Sequence, residues 1–416
     1  MNAGTFGTEA KTLNRLQNIK FIDDDEEKGI DYDWELIKND YRSLGCPDDI
    51  FDPTTNPIEK IRQIFNLSIR SVGKTTGWVL IGMIMNARYG TTVGYVRQTE
   101  EELAPKYSRE LMKVIVTYNQ GQYIRQITDD RYNTVVYKDR RLYYCLADEN
   151  GKEIDRSPEP FLIMLAIDLQ ETYKSVLNLP LCDFMIVDEF VKTYYKDQAF
   201  INWMQLLSTV KRRRQCARIV YLANSIRYMS QWYREFMIQH ILKTMRLGDH
   251  RTVTTAKGTR IYIELVEPKA KQRILEDAEL YFGFDNPDLL SIVGTDLAWS
   301  LPEVPRIKYE DDDKVITKKI RVKAEDDLKI VLVYNRTIGL HVNVYPATNK
   351  RHNDEILLTL DTPADRRDLY ALGYGEIFKR IWDLYKKNLF FYSDNETGAI
   401  LIDYVARSRD ALKKKI

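Results

Sequence analysis

The stretch from Ile64 to Met85 limits the fold more than any other part of the 416 residues. An apolar run, Ile64–Leu67, enters the loop Ser68-Ile69-Arg70-Ser71-Val72-Gly73-Lys74-Thr75. The chain leaves that loop in a helical pattern through Trp78, Val79, Ile81, Gly82 and Met85. Strand, loop and helix in this order make a phosphate-binding loop. Its N–H groups turn inward, and the helix N-terminus favours an anion. Gly73 permits close approach of the backbone. Lys74 is placed to reach the β- and γ-phosphates, and Thr75 to offer a hydroxyl to Mg²⁺. Ser68, Arg70, Ser71, Val72 and Thr76 complete the expected cradle. Ser68 stands where such loops carry their first Gly, a position that often needs a positive φ. By itself the segment also reads as an ordinary strand-to-helix turn.

A second segment decides between these readings. Leu181–Val187 is an apolar strand that ends in Asp188 and Glu189. In an open α/β sheet, ligands bind at the carboxyl ends of the strands. Asp188 is expected to hold Mg²⁺ through water, together with Thr75. Glu189 is expected to polarise the attacking water as general base. A third strand, Arg218–Ala223, ends at Asn224-Ser225, where a polar side chain can contact the γ-phosphate or the water. These two residues are equally good caps. The three segments predict ATP hydrolysis with ATP and Mg²⁺, and Glu189 beside Asp188 points to the additional-strand class of ATPases.

Between the second and third strands, Ala199–Arg214 reads as a helix with Phe200, Trp203, Met204, Leu207 and Val210 on its apolar face. Arg212 and Arg213 fall on the outer face. They suit an arginine finger acting on a neighbouring subunit. Favourable charge at a helix C-terminus and a phosphate-contacting patch are the other readings.

The strands Ile64–Ile69, Thr92–Val96, Phe161–Ile167, Asp183–Val187, Arg218–Ala223 and Arg260–Val266 alternate with helical stretches. That pattern predicts an α/β domain with a mainly parallel sheet. Residues 122–147 read as an inserted β-hairpin or meander with a turn near Asp129-Asp130, and Ser230–Met245 as a single helix. The expected organisation is an acidic, solvated arm over 1–60, a P-loop ATPase domain over 61–284, a linker over 285–318 and a small α+β domain over 319–416. In the last, Lys329–Val333 and Ile338–Val344 form a hairpin, Glu376–Tyr385 a helix, and Leu389–Tyr392 with Ala399–Ile402 a strand pair.

Lys plus Arg is 62 against 61 Asp plus Glu, which excludes a generic polycation that coats nucleic acid. Cys46, Cys145, Cys182 and Cys216 lie far apart, and the histidines lack ligand spacing, so neither disulfides nor zinc are indicated. The longest apolar run, Trp78–Met85, falls short of the roughly 20 residues of a membrane span. A soluble intracellular protein is expected.

Assembled, these features resemble a phage DNA-packaging ATPase. They are most similar to the encapsidation proteins of small short-tailed phages with terminal-protein priming, and more distantly to the large terminase subunit. Arg70 matches an Arg common in terminase phosphate loops, and Val93–Thr99 is similar to the segment after their first helix. Val187–Phe190 resembles their Walker B, Leu222–Ser225 their coupling motif, and Thr209–Arg212 lies where they place the trans-acting arginine. The resemblance implies a molecular motor, a homo-oligomeric ring, commonly a pentamer, on the portal of an empty capsid. It pumps double-stranded viral DNA inward from the host cytoplasm, with a structural packaging RNA in some relatives. Lys106 and Arg109 would be pore contacts, although ordinary surface charge explains them as well. Large terminases carry an RNase-H-like nuclease at the C-terminus. Here the presumed first strand, Lys329–Tyr334, has no Asp, and only scattered carboxylates (Asp361, Asp394 and Asp403) could cluster. A vestigial RNase-H-like domain without nuclease activity follows.

Two rival readings belong to other classes. A helicase or remodeller should show a second RecA-like half or a QRxGR-type motif, and neither is present. A non-catalytic nucleotide-binding scaffold would not need Lys74, Thr75, Asp188 and Glu189 together.

Overall fold

The computed structural model describes residues 31–45, 51–68, 72–117, 122–175, 182–191, 198–211, 217–224, 230–267, 304–307, 314–324, 326–347, 355–360, 369–370 and 376–413. Two compact units divide them. The first draws on the spans Met1–Val191, Ala199–Ser225 and Lys243–Ala298, the second on Lys192–Gln198, Ile226–Leu242 and Trp299–Ile416.

The first unit is built on a ten-stranded sheet. Its strands are β1 (Gln63–Leu67), β2 (Val93–Arg97), β3 (Thr134–Lys138), β4 (Arg141–Ala147), β5 (Glu153–Arg156), β6 (Leu162–Ala166), β7 (Phe184–Asp188), β8 (Arg218–Ala223), β9 (His250–Thr254) and β10 (Arg260–Leu265). The spatial order is β3-β4-β6-β2-β7-β8-β1-β10-β9, with β5 paired to β4. From β6 to β10 every neighbouring pair is parallel. Beyond this parallel set the pairing is antiparallel, through β4 with β3 and β5 on one side and β9 on the other. The chain is therefore mixed α/β with a mainly parallel sheet, as predicted, and the predicted strands between Ile64 and Val266 are present with ends shifted by a residue or two. The central strands β6 and β7 are buried at every position, because a parallel sheet is covered on both faces.

The helices of this unit are α1 (Trp34–Ser43), α2 (Lys74–Tyr89), α3 (Pro105–Thr117), α4 (Gln122–Ile127), α5 (Gln170–Ser175) and α6 (Gln198–Lys211). α2 starts after Gly73, whose φ of +79° needs a glycine, and stops at Gly90 with φ +71°. It is apolar nearly all round, as a helix against a buried sheet must be.

Several expectations need correction. Residues 31–45 and 51–60 are not a solvated arm, and residues 1–30 and 46–50 of the expected arm lie outside the described residues. Asp33 caps α1 by accepting from Leu36 N at 3.0 Å, and Trp34, Ile37 and Tyr41 enter the same core as Trp78 of α2. Carboxylates of this segment are engaged as well, Glu59 with the buried Lys38 and Asp40 with Arg88. The hairpin turns at Asp139-Arg140, both with positive φ as a two-residue turn requires. Asp129 and Asp130 also have positive φ, but follow α4. On α6 the buried face is Trp203, Leu206 and Val210, whereas Met204 is 45% exposed. Trp203 fixes that rotation by donating its indole N–H to the Tyr221 hydroxyl at 3.2 Å.

The second unit holds α7 (Gln231–Glu235) and α8 (Gln239–Leu242), then β11 (Lys314–Val322), β12 (Leu328–Asn335), β13 (Gly339–Pro346), β14 (Ile356–Thr359), β15 (Leu369–Tyr370), α9 (Glu376–Lys386), β16 (Phe390–Tyr392) and α10 (Asn395–Lys413). The single helix expected over Ser230–Met245 is broken at Met237, whose φ is +56°. The six strands run in the order β15-β14-β11-β12-β13-β16. β11, β12 and β13 form an antiparallel meander, while β14 and β15 add in parallel. β11 begins inside the expected linker and is the first strand of this sheet among the described residues. Ala399–Ile402 is helix rather than strand. Asp394 accepts from Thr397 N at 2.6 Å and so starts α10 there.

α2 passes close to the chain at Phe51. A Cβ on Gly77 would stand 2.8 Å from the Phe51 carbonyl oxygen, a backbone atom that cannot swing aside. Gly77→Ala is therefore expected to destabilise the protein by about 1–3 kcal/mol, despite Ala being the better helix former. Urea unfolding at 25 °C reads this directly, and an unchanged or raised midpoint would refute it.

Candidate active site

β1, β7 and β8 are adjacent and parallel, so their carboxyl ends finish in a row. The loop after β1 delivers Ser68 and Lys74, the end of β7 delivers Asp188 and Glu189, and the end of β8 delivers Asn224. Ser68 N donates to Ala223 O at 3.2 Å, which fastens the loop to the end of β8. Phe51 N donates to Val72 O at 2.9 Å and holds its other side.

Ser68 does not adopt a positive φ, so its backbone does not need glycine. Its side chain has work instead, as acceptor from the Lys74 ammonium. Lys74 also donates to Asn224 Oδ1 at 3.0 Å. The lysine is only 5% exposed. Burial pulls its pKa down from the usual lysine value to about 8, and the fields of Asp188 and Glu189 limit that fall.

Asp188 is the hub of the carboxylate side. Its Oδ2 accepts from Thr75 Oγ1 at 3.3 Å, Tyr95 OH at 2.6 Å and Arg97 at 3.2 Å. Arg97 also donates to Glu189 Oε2 at 2.6 Å. Burial alone would lower the Arg97 pKa, but the surrounding anionic groups raise it above the ordinary arginine value. Burial and the Asp188 charge push the Tyr95 phenol upward as well, so it remains a neutral donor. Glu189 sits at φ +49°, a left-handed conformation that costs a non-glycine residue about 1–2 kcal/mol. The ion pair to Arg97 holds it there.

Of the residues expected from the sequence, the structure brings together Ser68, Gly73, Lys74, Thr75, Asp188, Glu189 and Asn224. Val72 is buried, and Thr76, the third residue of α2, is half-buried. Arg70, Ser71, Arg212 and Arg213 lie outside the described residues, as does Asp361. Asp394 and Asp403 do not meet. The first precedes α10 and the second is nine residues on, about 13 Å along the axis. Among the described residues no group of three or more His, Cys, Asp and Glu could hold a metal. No described helix is long and apolar enough to cross a membrane.

Sequence reasoning placed Tyr95 and Arg97 on the strand after α2 but gave them no role. An arginine at the end of an otherwise apolar buried strand was the available signal. Its side chain needs a carboxylate, and the strand next to β2 ends in two.

No protein-family model matches the sequence, and no curated protein matches it. Solved structures do match. The chain is similar to the phi28 gp11 DNA packaging motor at 16% identity and a TM-score of 0.50, over 88% of this chain and 98% of that one. It is similar to a chain of the bacteriophage phi29 viral genome packaging motor assembly at 16% identity and a TM-score of 0.51, over 87% of this chain and 99% of that one. What is shared at this identity is the fold: an α/β architecture of the kind found in phage packaging motors.

Arg97→Ala leaves Asp188, whose side chain is 9% exposed, without its cation. We expect a loss of about 2–4 kcal/mol in urea unfolding, with part of it recovered in Arg97→Ala/Asp188→Asn, where no charge is stranded. Additive losses in the double variant would show that the two residues do not act as a pair.

Proposed function

We propose that this chain is the ATPase of a motor that moves double-stranded viral DNA into a preformed capsid through its portal. The observation that carries the reading is the meeting of Lys74, Thr75, Asp188 and Asn224 at the carboxyl ends of three adjacent parallel strands. β8 lies between β1 and β7, which supports the additional-strand class of P-loop ATPase. Likeness of fold to packaging motors points to DNA as the polymer moved.

The donor set suits a magnesium nucleotide: a hydroxyl and a carboxylate 3.3 Å apart beside a desolvated ammonium. Thr75 and Asp188 are the residues to hold Mg²⁺, which when bound neutralises phosphate charge. Lys74 binds the terminal phosphates, and Gly73 brings the backbone close to them. Glu189 takes the proton of the attacking water, a role open to its carboxylate once Arg97 has let go. Asn224 shares Lys74 with the phosphates and so registers their arrival. Arg212 and Arg213 remain the proposed source of a finger from the neighbouring subunit, in a ring proposed to be pentameric.

For the second unit, an antiparallel meander followed by two parallel strands supports an RNase-H-like fold. β11, its first strand, carries no carboxylate, and Asp394 is engaged as a helix cap. We read it as a vestigial domain without nuclease activity that binds portal, DNA or packaging RNA.

The test is ATP hydrolysis by the purified chain with and without long double-stranded DNA, beside Glu189→Gln. Hydrolysis that rises with DNA and disappears in the variant is expected. Hydrolysis no greater than that of the variant would sink the ATPase reading and favour a scaffold. Nucleotide affinity should also depend on pH. Phosphates bind the charged form of Lys74, so above about pH 8 binding takes up a proton. The Kd for ADP, measured by calorimetry from pH 7 to 9, should rise by up to about tenfold per pH unit above that value. Lys74→Arg should flatten the profile, and a flat wild-type profile would count against Lys74 as the phosphate ligand.

A further inference from the structure

Glu189 is restrained at two ends. At its carboxylate the restraint is Arg97, a contact given up before the group acts as a base. At its backbone the restraint is the next residue, Phe190. The Phe190 ring is fully buried and meets Phe65 and Tyr221 edge-on, with ring centroids 5.8 and 5.6 Å away. Its carbonyl oxygen accepts a hydrogen bond from the side-chain amide of Gln98.

Gln98 itself has little freedom. It follows Arg97 at the end of β2 and is only 8% exposed. Its N–H donates to Glu102 Oε2 at 3.1 Å, and its carbonyl accepts from Asp168 N at 3.1 Å. Thr99 N donates to the same Glu102 oxygen at 3.2 Å. The backbone that carries the amide is thus tied to the turn of 3-10 helix at Glu100–Leu103 and to the segment after β6. A fixed backbone under a buried side chain aims that amide at one acceptor.

Glu189 therefore lies between two fixed points. Before it, Asp188 is held in β7 by pairing with Leu222 of β8. After it, Phe190 is held by its ring and by its carbonyl. The single residue between them takes up the change of direction with a φ of +49°. A left-handed non-glycine residue stays so only while its neighbours insist on it. Breaking the ion pair to Arg97 removes one such hold and leaves the bond from Gln98 in place. We infer that Gln98 is a positioning residue for the proposed hydrolysis: its amide, through the Phe190 carbonyl, keeps Glu189 aimed at the attacking water after Arg97 has released it. This rests on the reading of Glu189 as general base.

The test is steady-state ATP hydrolysis by the full chain, alongside ADP binding by calorimetry. Gln98→Met keeps the length of the side chain and removes the donor. It should lower kcat roughly ten- to hundredfold, the loss that a displaced catalytic group brings. The KM for ATP and the Kd for ADP should stay within about twofold, because Lys74 and Thr75 are untouched. Gln98→Asn draws the amide back by one methylene and should give the same split, so the result does not depend on Met being tolerated. A residue that acts through Glu189 has little left to act on once that base is already displaced. In a Glu189→Asp background, Gln98→Met should therefore cost less than about twofold. An equal loss in both backgrounds would make Gln98 a general structural residue and overturn the inference. An undiminished kcat, or a loss that falls on ADP binding, would overturn it too. Wild-type hydrolysis with an unaffected Gln98→Met refutes this role alone. Wild-type hydrolysis no greater than that of Glu189→Gln removes the base itself, and both readings with it.

Discussion

A buried ammonium sets the terms for the first unit. Lys74 is almost wholly out of water, and a charge in that position must be met by acceptors and opposing charge. Ser68 supplies one acceptor from the end of β1, and Asn224 another from the end of β8. Asp188 and Glu189 supply the field from the end of β7. These groups can surround one atom only if the three strands are parallel, adjacent and in register. The strand order of the sheet and the state of one lysine are thus a single requirement seen at two scales.

The carboxylates that serve Lys74 are themselves restrained. Tyr95 and Arg97 come from β2, the strand beyond β7, and together they take up Asp188 and Glu189. Lys74, Asp188, Glu189 and Arg97 therefore form one run of alternating charge from the start of α2 across the ends of β7 and β2. Glu189 is held in a backbone conformation that it would not choose alone. Strain of this kind persists where the surroundings over-determine it, and it gathers at sites that change state.

Much of this arrangement was legible beforehand, for a physical reason. Buried parallel strands are short apolar runs bounded by turn residues, and β1, β6, β7 and β8 have that form. The carboxylate at the end of β7 stands out because the rest of that strand is apolar. Less could be read where chemistry was local but its setting was not. The acid-rich segment before residue 60 looked like a free arm, yet Trp34, Ile37 and Tyr41 outweigh its charge by burying against α2. Met204 looked inward because helical periodicity alone leaves the rotation of a helix undecided by one position. Ala399–Ile402 has the composition of a strand, and only the cap at Asp394 commits it to α10. Arg97 was missed because its role depends on which strand lies beside β2, and periodicity does not reveal neighbours.

The place of β1 in the sheet bears on how the chain is made. Ile64 finds its two partners in Val220 and Tyr262, both far later in the sequence. During synthesis the strand that carries the phosphate loop is among the first of the sheet to leave the ribosome and the last to be enclosed. Until β10 has emerged, an apolar segment with Ile64 and Phe65 has at least one open edge. Long-range parallel pairing of this kind is slow and exposes strands to wrong partners. The hairpins β3–β4 and β9–β10 close over short distances and can form as soon as they appear. A nascent chain of this protein is therefore most vulnerable at the segment on which its chemistry later depends, and shielding of that strand by a chaperone would matter more than help with any other part.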